Sequence, residues 1–295
     1  VKSILYVTAN PGHSLVKDHI KAGGKAIVLE AAMNGDMLTI YDNGLHMPVL
    51  WSHLIPATLE GKAMHNVQNA MFAAAMAYCF GVDLDNIRHG LRTFDTSYFQ
   101  APGRMNVFDE HPFKVILDYG HNPAALRAMA DLADRLDIKG RRIVVVSIPG
   151  DRRDQDVADA AHTLAGHFDH YICKADDNRR KRGPEEIPQM IKAQLIAAGV
   201  PEDQISVIPD EQEAVTASLE MAQPGDLLMV FGDNSSRCWK QIIYFNAPDQ
   251  TADSTSAPAA PPAPLPFEEL LDPSISMVRD ARGVRLARGN TEDSD

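Results

Sequence analysis

Apolar and polar positions alternate in two different rhythms along this chain. At the start, SILYVT reads as a strand, NPGHS as a turn and LVKDHIKAGG as a helix. KAIVLE and DMLTIYD are two more strand-like runs, separated by the turn residues Asn34 and Gly35. From Asn66, NVQNAMFAAAMAYCFG sets small and apolar residues at helical spacing, with Gly81 placed to stop the helix. LDNIRHGLRTF predicts a second, shorter helix with Ile87 and Leu91 on one face.

The texture shifts at QAPGRMNVF, which puts a domain boundary near residue 100. Beyond it, strands and helices alternate. KVILDYG leads to PAALRAMADLADRL, RRIVVVSIPG to VADAAHTLAGHF, and HYICKA to EEIPQMIKAQLIAAG; QISVIP then precedes EQEAVTASLEMA, and GDLLMVFGDNSS closes the series. IVVV and DLLMVF are unbroken apolar runs, as strands covered on both faces require. The alternation predicts the α/β class, with a Rossmann-like doubly wound, mostly parallel sheet over residues 101–245. Residues 246–295 begin with QTADSTSAPAAPPAPLP, too poor in large apolar groups to offset the entropy of ordering, and are expected to be a disordered tail. Its last part, FEELLDPSISMVRDARGVRLARGNTEDSD, leaves a short helix or strand open.

Composition narrows the function classes. With 295 residues and 45% hydrophobic content, the chain can bury two modest cores or one large one. A net charge of −12 leaves no basic face for a general nucleic-acid partner. Cys79, Cys173 and Cys238 are odd in number, far apart and without CxxC spacing, so neither a disulfide framework nor a cysteine metal site is expected, and a cytoplasmic setting fits. No apolar stretch reaches membrane-spanning length and no secretory signal is present, so no membrane partner is expected. The chain opens on Val and enters a strand at once, as the rear portion of a longer protein would.

Ligands of open parallel sheets bind beyond the carboxyl ends of the strands. Four such ends here are polar: DYGHN with Asp118, His121 and Asn122; PGDRRDQD with Asp151 and Arg152; DDNRRKRG with Asp176, Asp177 and Arg179; and GDNSSRC with Ser235, Ser236 and Arg237. Any one of them would serve as an ordinary turn; all four together point to a site. His65, Asn66 and Asn69 open the first long helix, where a cap accounts for one polar residue and not three. No GxxxxGK[ST] phosphate loop occurs; Gly23, Gly24 and Lys25 read as a helix end feeding a strand.

HNVQNAMFAAAMA, APGRMNV and LDYGHNPAA, in this order, resemble the Mur ligase superfamily of ATP-dependent amide-forming enzymes. The wording LWSHLIPATLEGKAMHNVQNAMFAAAMAY is similar to its cyanophycin-making branch, and the likeness runs from residue 1 to about 245. The resemblance implies that residues 1–100 are the end of a central ATP-binding domain and 101–245 an amino-acid-binding domain. It implies a reaction in which ATP phosphorylates a carboxylate and an amine then displaces phosphate, with ATP and Mg²⁺ as cofactors. Arginine and polyaspartate (cyanophycin) would be the substrates, and the complete enzyme a homo-oligomer. Position by position, His65, Asn66 and Asn69 would lie near adenine or ribose, and Arg104 would reach the phosphates across a hinge. Asp118 would meet the nucleotide, with His121 and Asn122 shaping that junction; Arg104, Asp118 and His121 are the implied catalytic set. Asp118→Ala is then expected to abolish amide formation in a complete enzyme and leave the fold intact.

The incoming amino acid would be held by the loops bearing Asp151, Arg152 and Arg179. By charge, Asp176 and Asp177 suit a guanidinium, and Ser235, Ser236 and Arg237 suit its carboxylate. Because the phosphate loop and metal-binding residues of the superfamily are missing, this chain alone is expected to be inactive. Two readings stay open beside this one: another Mur-type ligase, for peptidoglycan or folylpolyglutamate, or a non-catalytic amino-acid- or nucleotide-binding module.

Overall fold

Strands β1 (Leu5–Thr8), β2 (Lys25–Ala32), β3 (Gly35–Asp42) and β4 (Leu45–Trp51) make a sheet in that order, β1 parallel to β2 and the rest antiparallel. This structure, a computed structural model, describes residues 4–246, 275–280 and 283–288. Helix α1 (Ser14–Lys21) joins β1 to β2 through Gly23, whose φ of +83° confirms the turn read at AGGK. The sequence pattern did not mark β4, because Pro48 interrupts its apolar run. Proline is tolerated there because β4 is the last strand of its sheet and the pairing with β3 slips beside it.

Helix α2 (Met64–Cys79) lies on this sheet, burying Val67, Met71, Ala74 and Ala75 against Ile27, Leu38 and Ile40. Gly81 follows it at φ +81°, the expected stop. Helix α3 (Leu84–Thr93) is capped by Asp83, which accepts the Asn86 amide at 2.9 Å, and buries Ile87 and Leu91 as its spacing predicts.

The second sheet has six strands in the order β5 (Asn106–Phe108), β6 (Lys114–Asp118), β10 (Leu227–Phe231), β7 (Arg142–Val146), β8 (His170–Cys173) and β9 (Ile205–Val207). All neighbours are parallel except β5, which runs antiparallel on the edge. This is the Rossmann-like, mostly parallel class expected from the alternation. Side chains divide between the faces with the period of two that a pleated strand imposes. Ile116, Val144 and Met229 face α4 (Pro123–Arg135), α5 (Asp154–Leu164) and α6 (Glu186–Ala197). Val115, Leu117, Ile143, Leu228 and Val230 face α7 (Glu211–Met221) and α8 (Ser235–Tyr244). Helix α8 was not foreseen; Asn234 caps it, and its Trp239 stacks on Tyr98 at 5.0 Å.

The chain passes from one sheet to the other between α3 and β5, and both sheets belong to one compact unit, Val1–Ala247. Ala63, just before α2, and Met105 both sit in the core between the second sheet and α4–α6. Most of the expected tail lies outside the described residues. Within it, β11 (Ile275–Asp280) and β12 (Gly283–Arg288) pair antiparallel, the strand alternative left open above.

Candidate functional site

A cleft of about 820 Å³ opens where α2, α3, α4 and the segment before β5 meet. Its polar end is lined by His65, Asn66, Asn69, Arg104 and Asp118; alanines of α2 and α4, with apolar residues of α3, line much of the rest. The motif residues at the start of α2 do not cap it, since the cap position is Ala63, with no side-chain bond. Asn66 instead donates through Nδ2 to the Ala57 carbonyl at 2.7 Å and lies 3.8 Å from Met105 Sδ, and Asn69 Nδ2 donates to Asn66 Oδ1 at 3.1 Å. His65 Nδ1 is buried with no partner. Burial lowers the His65 pKa and the Asp118 charge opposes the shift, so the ring enters neutral pH uncharged.

The segment before β5, where the resemblance implies a hinge, is folded by its own side chains. Gly103 (φ +70°) donates its amide to Asn106 Oδ1 at 2.7 Å, and its carbonyl accepts the Tyr119 amide at 2.9 Å. A Cβ on Gly103 would stand 2.5 Å from Ser235 Oγ, so the hinge and the start of α8 are in intimate contact. Met105, at φ +49°, donates its amide to Asp118 Oδ2 at 2.9 Å, while Asp118 Oδ1 accepts the Gly120 amide at 2.6 Å. Burial raises the Asp118 pKa; the two amides and the Arg104 charge hold it back. Arg104 is exposed, with its guanidinium 5.6 Å from the centre of the Tyr119 ring.

The DYGHN motif therefore divides. Asp118 faces the cleft. His121 turns back to the Tyr119 carbonyl, 3.0 Å from Nδ1, and lies outside the cleft lining. Asn122 is the cap of α4, accepting the Ala125 amide at 3.0 Å ahead of Pro123. Capping explains that residue without any ligand.

The other three strand ends form a second polar group. Lys174 and Glu211, neither foreseen, are buried and 2.8 Å apart. Lys174 Nζ also donates to Ser147 Oγ at 2.8 Å and lies 3.7 Å from Asp176 Oδ1, which Ser147 Oγ hydrogen-bonds in turn. Glu211 accepts the amides of Asp233 (2.7 Å) and Asn234 (3.1 Å) and the Arg237 guanidinium (2.7 Å). Burial opposes its ionisation, yet Lys174 and these amides hold its pKa at about 2. Burial and the nearby Asp176 charge raise the Asp233 pKa, with Lys174 opposing.

Arg237 makes a two-pronged pair with Asp177, both contacts at 2.8 Å. That bond raises its already high pKa further. Asp177 thus has a cation from its own chain. Asp151 is likewise paired, with Arg180. Arg152 and Arg179 are exposed, and among the described residues neither side chain has an acidic partner. Ser235 packs on the hinge glycine, and Ser236 Oγ lies 2.9 Å from the Tyr98 hydroxyl. The sequence signals for the missed residues are faint: Lys174 ends the apolar run HYIC, and Glu211 reads as an ordinary first-turn acid after the cap Asp210.

Residues 103–234 match the family described as Mur ligase, glutamate ligase domain. The chain belongs to the Mur ligase superfamily. It is 36% identical to the cyanophycin synthetase of Trichormus variabilis over 244 residues, covering 81% of this chain and 26% of that protein. The cyanophycin synthetase of Synechocystis is 34% identical over 239 residues, covering 81% and 27%. A UDP-N-acetylmuramoyl-L-alanyl-D-glutamate–2,6-diaminopimelate ligase of Corynebacterium glutamicum is 32% identical over 216 residues, covering 69% and 39%. The chain therefore spans about a quarter of the length of the cyanophycin synthetases it matches. Among solved structures, E. coli FolC in complex with DHPP and ADP superposes with a TM-score of 0.56 at 19% identity, covering 82% of this chain and 53% of that one. The UDP-N-acetylmuramate–alanine ligase of Thermotoga maritima gives 0.51 at 17%, covering 74% and 45%. Both carry the same fold. Among the described residues no helix is long and apolar enough to cross a membrane.

Proposed function

We propose that this chain is the part of an ATP-dependent amide ligase that closes over the nucleotide and delivers arginine to the activated side-chain carboxylates of a polyaspartate chain. One observation carries the reading: residues from three separated motifs, His65 with Asn66 and Asn69, then Arg104, then Asp118, line one cleft. ATP, when bound, supplies the phosphoryl group that activates a carboxylate.

The cleft suits the base end of a nucleotide. It is largely apolar, and it holds an uncharged His65 whose buried Nδ1 lacks a protein partner. Asn66 is engaged at both ends of its amide and holds Asn69 in turn, so Asn69 Oδ1 is left to meet a ligand at little entropic cost. Arg104, exposed at the hinge, is placed to meet phosphate charge. Among the described residues no group of three or more His, Cys, Asp or Glu side chains could hold a metal ion, so Mg²⁺ arriving with ATP would take its ligands chiefly from phosphates and water.

For the amino acid, the internal Asp177–Arg237 pair alters the roles expected from charge. Asp176 is the acid left for an incoming guanidinium: its Oδ1 takes Ser147 and lies 3.7 Å from Lys174, while its Oδ2 has no partner among the described residues. Arg152 and Arg179 are the exposed cations available to carboxylates.

Calorimetric titration of the purified chain with arginine, lysine and meso-diaminopimelate tests the reading. Selective uptake of arginine is expected; preference for either of the others redirects the substrate assignment. Without a phosphate loop, the chain alone should show no arginine-dependent ATP turnover, and appreciable turnover would refute that part.

A further inference from the structure

Lys174 and Glu211 form an ion pair with no access to water, at 0% and 1% exposure. Such a pair is an expensive way to fill space, because apolar side chains of equal volume often do as well. Its bonds suggest another use. Lys174, at the end of β8, reaches Ser147 beyond β7. Glu211, the first residue of α7, takes the amides of Asp233 and Asn234 beyond β10 and one arm of Arg237 in α8. Arg237 grips Asp177, three residues on from Lys174, and the Asp177 amide donates to Asp233 Oδ2 at 3.1 Å. The contacts close a ring: Lys174, Glu211, Arg237, Asp177, and back along the chain. Four separate strand-end segments are joined through one buried carboxylate.

We infer that Lys174 and Glu211 are positioning residues that hold Arg237, Asp177 and Asp176 in the arrangement in which these loops receive the amino acid. The inference rests on the reading that the strand-end loops bind arginine. Each member of the ring restricts the next. Glu211 fixes one edge of the Arg237 guanidinium, so its other edge meets Asp177 in a single geometry. Asp177 is thereby withheld from the ligand. Ser147, held by Lys174, occupies one oxygen of Asp176 and leaves the other free. Recognition needs this kind of prior ordering, because a loop that must be ordered on binding loses affinity.

The test replaces both charges at once with side chains of similar volume, in the Lys174→Met, Glu211→Gln double variant; glutamine keeps an acceptor for one of the two amides. Melting within a few degrees of the wild type, together with at least tenfold weaker uptake of arginine by calorimetry, is expected. Undiminished arginine affinity in the folded double variant overturns the inference. Arg237→Lys, at the solvent edge of the ring, keeps the charge but loses the fork. It should weaken arginine uptake to a similar degree, and full affinity there also overturns the proposal, even if the double variant does not fold.

The Arg237 guanidinium resonances give a readout without ligand. Hindered rotation in the wild type should become free in the double variant, and equal hindrance in both proteins overturns the proposal. A wild type that takes up no arginine defeats the substrate reading instead, and leaves the positioning claim to be decided by those resonances.

Discussion

Asp118, the last residue of β6, holds Met105 thirteen residues earlier, with Oδ2 2.9 Å from the Met105 amide. Its other oxygen takes the Gly120 amide. The residue that faces the cleft thus also fastens the segment before β5 to the sheet. Asp118→Ala would leave two amides in a buried setting without acceptors, a loss of about 2–5 kcal/mol. The sequence-based expectation of an unaffected fold is amended accordingly: the urea midpoint should fall clearly. Asp118→Asn should fall less, because an acceptor remains and burial already disfavours the charge. Equal midpoints for wild type and Asp118→Ala would contradict the fastening role.

Acid should weaken the protein through Glu211. Its pKa is about 2 in the fold against an ordinary value of 4.5, so the folded state binds its proton less readily than the unfolded chain. The resulting stabilisation is present in full above the ordinary value, shrinks as pH falls below it, and is gone below about 2. The effect is on the order of 3 kcal/mol. Unfolding free energies from urea titrations between pH 6 and 3 should decline, and Glu211→Gln should flatten the decline while starting from a less stable protein. An unchanged slope in the variant would assign the acid sensitivity elsewhere.

Gly150 is a point of backbone contact between two strand-end loops. A Cβ there would lie 2.3 Å from the Arg179 carbonyl oxygen, which no side-chain rotation relieves. Arg182 spans the same junction, donating to the Gly150 carbonyl at 3.0 Å and to the Arg152 carbonyl at 3.0 Å. Gly150→Ala should therefore push the loops apart at a cost of about 1–3 kcal/mol. Amide shifts should concentrate at residues 149–153 and 178–183; a spectrum perturbed only at residue 150 and its chain neighbours would contradict the contact.

The three thiols should differ sharply in reactivity. Cys79 is exposed, whereas Cys173 and Cys238 are buried, and burial pushes the Cys173 thiol up to about 12 and Cys238 higher still. Ellman's reagent at pH 8 should titrate one equivalent in the native protein and three after denaturation. Two or more fast equivalents in the native state would mean that the second sheet opens.

The second sheet was legible because its strands are buried on both faces. An unbroken run such as IVVV announces itself without any knowledge of its partners. Strand β4 was hidden by Pro48, whose tolerance depends on an edge position that only the assembled sheet defines. Helix α8 was hidden because SSRCWKQIIY follows directly on a strand end that already read as a ligand loop. The cleft residues were legible through motif order, but motif order could not say which way a turn points. Asp118 faces the cleft, while His121 and Asn122, in the same motif, turn to a carbonyl and a helix cap. Lys174 and Glu211 were the least legible, since a charge beside an apolar run reads as surface until the residue that buries it is known.

The strand order β5-β6-β10-β7-β8-β9 sets a schedule for biosynthesis. The strand between β6 and β7 is the last of the six to leave the ribosome. Until Leu227–Phe231 emerges, β6 and β7 have no strand to bridge them, and their apolar edges must be shielded some other way. Local helices can form earlier, but the sheet closes in one late, long-range event, which slows folding and leaves nascent chains prone to association. Chains ending before Phe231 should therefore be cleared or aggregate as incomplete sheets, so the last-made strand acts as a completeness check on translation.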